Sequence, residues 1–200
     1  MPHFTPMSDL LEPRLLLSAE MDEDVLRVNG SSHGDEIIIK VNGDDIVVKE
    51  NGKGTKFDLA DVRKVKIRGS DGDDSIDCRN SPRMCNVEGG DDDDTIYGSN
   101  QSDRLLGDKG EDVIKGNKGD DTVEGGNFAD TLKGGGGNDQ VFGGDGDDRL
   151  FGDDGDDFLQ SADDLWEDDV IGGAGNDRAV VDDDEAASDD VDEVEDVEDD

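Results

Sequence analysis

Eleven aspartates recur through the second half of the chain, at Asp74, Asp94, Asp103, Asp112, Asp121, Asp130, Asp139, Asp148, Asp157, Asp168 and Asp177, most of them nine residues from the next. Carboxylates in that number are hard oxygen donors. With 28 glycines in the chain, tight turns can bring backbone carbonyls to the same place, and the combination suits a bound cation that prefers oxygen. Zinc or copper would call for imidazole or thiolate. The chain has two histidines and two cysteines, and no histidine stands among these aspartates.

The elements that must position the carboxylates come from a nine-residue period. From Gly89 to Gln160 the chain divides without a break into eight blocks, among them GDKGEDVIK, GNKGDDTVE and GGDGDDRLF. GSDGDDSID at 69–77 and GGAGNDRAV at 172–180 belong with them, and two weaker blocks lie at 80–88 and 163–171 beside two-residue offsets. Position one is glycine in the ten stronger blocks, position six is aspartate in all blocks but the one with Cys85, and position eight is apolar throughout, from Ile76 to Ala179. Such a block reads as a turn followed by a short strand. Glycines at positions one, two and four permit positive φ, and position eight is the single side chain aimed inward. Successive blocks then alternate between the two faces of a flattened right-handed coil of ~18 residues per turn, stacked at the ~4.8 Å spacing of paired strands. The expected fold is all-β: a parallel β-roll with a thin core.

These blocks resemble the glycine-rich nonapeptides of the repeats-in-toxin family, with consensus G-G-x-G-x-D-x-U-x, which bind calcium in a β-roll. The resemblance spans residues 69–180. It implies several Ca²⁺ ions on the roll edges, held by turn carbonyls and by the position-six aspartates named above. Asp92, Gln101 and Phe128 stand where position four should be glycine, so the edges built from 89–106 and 125–133 are expected to bind more weakly or with altered geometry.

Composition is consistent with an ion-dependent fold. The net charge is −38, with 30% hydrophobic and 4% aromatic residues, too little apolar surface to offset the entropy of ordering the chain unaided. Such charge repels nucleic acid and anionic lipid, and no stretch is apolar enough for a membrane span. Residues 1–68 carry 10 basic and 13 acidic side chains, residues 69–180 carry 9 and 31, and residues 181–200 carry none and 13. Four regions follow: an export- or anchor-like segment at 1–21, an antiparallel β cap at 22–68, the roll at 69–180 and an acidic disordered tail at 181–200.

The cap is read from apolar runs such as Ile37-Ile38-Ile39-Lys40-Val41 and Ile46-Val47-Val48, separated by hairpin signals at Asn29-Gly30, Asn42-Gly43 and Asn51-Gly52. A solenoid needs its first coil covered. The first twenty residues are not a standard secretory signal. Leu11 to Ala19, LEPRLLLSA, resembles the LEPR-xLL motif of bacterial surface and exported proteins, which implies a secreted or cell-surface location. In that setting Cys78 and Cys85 are expected to form a disulfide.

No catalytic constellation is present among these residues. There is no His-Glu-x-x-His, no Gly-x-Ser-x-Gly and no phosphate-cradling loop, and His33 near Asp35 reads as a surface histidine rather than an acid–base pair. The expectation is a non-enzymatic calcium-binding protein. Its alternatives are an adhesive or partner-binding module, acting on a surface polysaccharide or another β-roll, and an extracellular calcium sink.

Overall fold

The computed structural model describes residues 18–161 and 168–181, and the backbone of 190–192 and 196–199. All of its elements are strands: β1 (Ser18–Asp22), β2 (Val25–Asn29), β3 (Glu36–Asn42), β4 (Asp45–Glu50), β5 (Lys53–Asp58), β6 (Lys64–Asp71), β7 (Ser75–Asn80), β8 (Cys85–Asp91), β9 (Thr95–Tyr97) and β10 (Arg104–Lys109) in the first half. The second half adds β11 (Val113–Lys118), β12 (Thr122–Asn127), β13 (Thr131–Gly136), β14 (Gln140–Asp145), β15 (Arg149–Asp154), β16 (Phe158–Gln160), β17 (Asp169–Ala174), β18 (Arg178–Val181), β19 (Asp190–Asp192) and β20 (Asp196–Asp199). No helix among the described residues is long and apolar enough to cross a membrane.

From β6 onward, even-numbered strands join one sheet and odd-numbered strands the other, all in parallel ladders. This is a parallel β-solenoid of about six coils. Position-eight residues pair with one another along each ladder: Ile76 with Ile96, Ile96 with Ile114, Ile114 with Leu132 and Leu132 with Leu150 on the odd sheet. Every position-eight side chain from Ile76 to Ala179 is buried, as the single inward column requires, and from β9 to β16 it is the one apolar side chain that each strand buries.

The N-terminal part is richer. Strands β3, β4 and β5 pair antiparallel, which gives the hairpins expected at Asn42-Gly43 and Asn51-Gly52, and β1 and β2 form a further hairpin that was not expected. The β4–β5 turn has both Asn51 and Gly52 at positive φ, the conformation that a two-residue hairpin turn matched to strand twist demands. Asn29-Gly30 differs from expectation: it makes no hairpin. The chain there turns from one sheet to the other, with β2 parallel to β6 and β3 parallel to β7, so these two strands already form a coil of the solenoid. Here each strand buries two apolar side chains, Leu26 with Val28 and Ile37 with Ile39, and Ile46 and Val48 of β4 add to them.

Of the LEPR-xLL-like stretch, all but Ser18 and Ala19 lies outside the described residues. Most of the acidic tail does too. Where its backbone is described, β19 runs parallel to β17 and β20 to β18.

Candidate metal centre

Positions one to six of each block build the corner between the sheets. Positions two and four take positive φ in most corners, for example Asn117 at 81° and Gly119 at 109°, and that pair of left-handed residues folds the chain back within a few peptides. The glycine at position one has a different cause from the one expected. It does not adopt positive φ; its α-carbon is crowded. A Cβ on Gly107 would lie 2.1 Å from Asp112 Oδ2 and 2.7 Å from the Gly125 carbonyl oxygen of the next coil. Only the absence of a side chain lets the carboxylate and carbonyl approach this closely.

The position-six aspartates form two ladders, one on each edge of the roll. On one edge the backbone N–H of Asp74 donates to Asp94 Oδ1 at 2.8 Å, and the series continues from Asp94 to Asp112, Asp112 to Asp130, Asp130 to Asp148 and Asp148 to Asp168 at 2.6–2.8 Å. On the other edge Asp103 donates to Asp121, Asp121 to Asp139, and Asp139 to Asp157, each at 2.7 Å, and Asp157 to Asp177 at 2.9 Å. All eleven aspartates singled out in the sequence therefore stand in these ladders, and all are buried.

One oxygen of each carboxylate is used in this way. The second, Oδ2, is buried without a donor in Asp74, Asp94, Asp112, Asp121, Asp130, Asp139, Asp157 and Asp177. A buried carboxylate half-satisfied in this manner is unfavourable as an anion. Burial pushes Asp94, Asp121 and Asp130 up to about 8, Asp74 and Asp139 to about 7, and Asp112 and Asp157 to about 6. The N–H bond from the preceding aspartate opposes the shift, and neighbouring aspartates add to it.

These features fit a calcium ion. The unpartnered Oδ2 atoms are hard donors, and turn carbonyls face the same edges. The Ser70 oxygen, for instance, lies 1.9 Å from where a Cβ on Gly90 would be. Among the described residues no three acidic, histidine or cysteine side chains converge, so the donor set here is carboxylates supplemented by carbonyls, which calcium accepts in flexible number. The aspartates of adjacent coils would hold the ion, and its charge would allow the carboxylates to ionise inside the corner.

Departures at position four act unequally. Asp92 and Phe128 keep the turn at φ 81° and 82°, whereas the corner containing Gln101 is rebuilt. There Ser99 donates its N–H to Asp103 Oδ2 and its hydroxyl to Asp103 Oδ1. The sequence reading also missed one repeat. GSSHGDEII at 30–38 has glycine at position one, Asp35 at six and Ile37 at eight, and Asp35 donates its N–H to Asp74 Oδ1 at 2.6 Å. The three matching columns were its signal, and the inserted β4–β5 hairpin broke the nine-residue spacing that would have exposed it. His33 is exposed on this corner.

The expected disulfide is a correction. Cys78 and Cys85 are free thiols, both fully buried, and hydrogen bonding between them together with burial holds the Cys78 thiol well above its usual range. Cys85 takes the ladder place of an aspartate, its N–H donating to Asp103 Oδ1 at 2.6 Å.

Searches of curated proteins and of solved structures gave no match. A family model described as the RTX calcium-binding nonapeptide repeat matches four times, at residues 88–123, 97–132, 124–159 and 167–180. Those stretches begin in β8 and end in β18, the part of the solenoid in which consecutive corners carry aspartate on both edges. Residues 88–159 and 167–180 of this chain thus carry RTX calcium-binding nonapeptide repeats.

Proposed function

We infer that this chain is a non-enzymatic protein of the cell exterior that binds several calcium ions along its two roll edges and requires them to hold its repeat coils together. The observation that carries this reading is the set of buried Oδ2 atoms without donors, stacked in ladders whose mutual repulsion a one-residue-deep core does not offset. Family resemblance and the LEPR-xLL-like stretch support the exterior location. A calcium titration of the metal-stripped chain, followed by far-UV circular dichroism, tests it. Calcium should generate β signal cooperatively, and Mg²⁺, which demands octahedral geometry and retains its waters, should do so poorly. A β spectrum of the repeat region indifferent to chelation would refute the dependence.

A second reading, a calcium-dependent module that binds an anionic surface polysaccharide, is favoured by the outer face of the odd sheet. Tyr97, Lys115, Lys133 and Phe151 are consecutive neighbours across its ladders. The Lys133 ammonium lies 4.0 Å from the Phe151 ring centre, and Arg79 lies 4.5 Å from that of Tyr97. Neither lysine pairs with a carboxylate among the described residues. Retention on a polyuronate matrix in calcium, lost in the Lys115→Glu/Lys133→Glu double variant, distinguishes this reading from a simple calcium sink.

A further inference from the structure

Two position-six carboxylates differ from the eight whose Oδ2 is buried without a donor. Asp103 has no unpartnered oxygen: Oδ1 accepts the Cys85 N–H and the Ser99 hydroxyl, and Oδ2 accepts the Ser99 N–H. Asp35 is likewise complete, with Oδ2 accepting the Ser31 N–H at 2.6 Å and Oδ1 accepting the Asn51 side-chain amide at 2.6 Å. In both corners the position-two residue supplies the closing N–H.

Backbone conformation explains the difference. Where Oδ2 is left without a donor, position two has positive φ, as at Ser70 (96°), Gly90 (136°), Asp108 (82°) and Asn117 (81°), and its N–H does not reach the carboxylate. Ser31 and Ser99 do not have positive φ, and theirs does. The two closed corners share a sequence form, Gly-Ser followed by a non-glycine at position four, His33 in one and Gln101 in the other. Ser70 has the same residue type at position two but Gly72 at position four, which takes φ 99°, and its corner stays open. In the Gln101 corner the Gln101 N–H donates to the Ser99 hydroxyl at 3.0 Å, which holds the serine in its closing pose.

A third corner of the N-terminal coils is bridged by a fixed cation. Arg83, at position four of the block in which Cys85 replaces aspartate, donates from Nε to the Val62 carbonyl at 2.7 Å and from Nη2 to the Leu59 carbonyl at 3.1 Å. A guanidinium cannot be removed by a chelator.

We propose that the Asp35 and Asp103 corners take no calcium, because the serine at position two closes each carboxylate from within the chain, and that position two together with position four decides which corners of this roll are metal sites. This rests on the calcium-binding reading above and narrows it: Asp103, although it fits the repeat consensus, is a structural carboxylate. Its neighbours on the same edge, Asp121, Asp139, Asp157 and Asp177, keep an open oxygen and hold the ions.

The test is calcium stoichiometry of the full chain, measured by equilibrium dialysis and native mass spectrometry. Asp103→Asn should bind as many ions as the parent, while Asp121→Asn should bind fewer. Ser99→Gly/Gln101→Gly, which frees Asp103 Oδ2 and restores the consensus turn, should bind one more. An Asp103→Asn chain that loses an ion, or a double glycine variant whose count does not rise, overturns the proposal. The gain expected of the double variant cannot arise from misfolding, and circular dichroism at saturating calcium confirms that the asparagine variants fold. Uptake by the parent tests the calcium reading itself, whereas the ranking of the variants tests the closed corners.

Discussion

Asp121 donates its backbone N–H to Asp139 Oδ1 at 2.7 Å, so a side chain proposed above as a metal ligand in one coil is also the hydrogen-bond acceptor that fixes the coil before it. On that proposal one group carries both ligation and coil-to-coil register. Losing the charge and losing the acceptor should have separable effects.

Asp139→Asn keeps an oxygen for the Asp121 N–H and removes the charge. It should raise the calcium concentration at half-saturation on the order of tenfold, since ligand charge tunes such sites. Asp145→Asn, the same change at an exposed side chain, should leave the midpoint close to that of the parent. Calcium titrations of the two variants side by side measure the difference, and equal shifts would mean that bulk charge alone matters.

The metal-free protein should become more ordered on acidification. Burial holds the Asp112 carboxyl up at about 6 and those of Asp94 and Asp121 at about 8, above the ordinary aspartate value of 3.8, so the folded chain binds more protons than the unfolded chain between about 4 and about 8. Stability then falls as pH rises from about 4 to about 8. With calcium present the direction reverses, because protons compete for the ligands. Circular dichroism of calcium-stripped and calcium-loaded protein across this range should show opposite slopes.

Gly107→Ala tests the crowded α-carbon. The new methyl would meet the Asp112 carboxylate and the Gly125 carbonyl, at a cost of about 1–3 kcal/mol for an overpacked site and with weakened calcium binding at that corner. Gly54→Ala is the control: its Cβ would meet only Val47 Cγ1, at 3.7 Å, and its thermal midpoint should barely move.

The inward column is tested by Leu150→Asp, which buries a carboxylate with no donor to receive it and should cost several kcal/mol. Arg149→Ser, one residue earlier and outward, loses only an exposed pair with Asp169 at 2.9 Å and should cost less than about 1 kcal/mol. The calcium midpoint for folding should move sharply in the first variant and slightly in the second.

The buried thiols provide a probe of opening. In calcium, Cys78 and Cys85 should resist a thiol-specific reagent, because neither exposes surface. If chelation loosens the coils around them, both should label. Protection that persists in chelator would place this coil in a calcium-independent part of the fold.

Much of this was legible in the sequence because the period binds three chemistries to fixed places. Ile114 and Leu132 had to point inward as the position-eight groups of their strands, and the aspartates two positions before them, Asp112 and Asp130, had to share an edge. Ser70 and Ser99 show where such reading ends. They are the same residue at the same position, yet one turns to positive φ and the other closes on its aspartate, and only the partners in the folded corner distinguish them. Asp35 escaped for a different reason, since a hairpin inserted after its block displaced it from the count. The cysteines misled through their setting: a pair assigned to the exterior suggested a covalent bond, but their place in the core has both sulfurs as buried thiols.

The uneven depth of the core gives the roll a mechanical polarity. Strands β2, β3, β6, β7 and β8 each bury two apolar side chains, while β9 to β16 each bury one, and the three corners clasped by serine, asparagine or arginine all lie in the N-terminal half. Pulled from its two ends, such a molecule would not rupture in one event. It would peel coil by coil from the C-terminal side, each step releasing about one coil's length and each step sensitive to calcium, until it reached a remnant that resists without the ion. The chain is in this sense a ratchet anchored at one end, with the deep coils as its fixed stop.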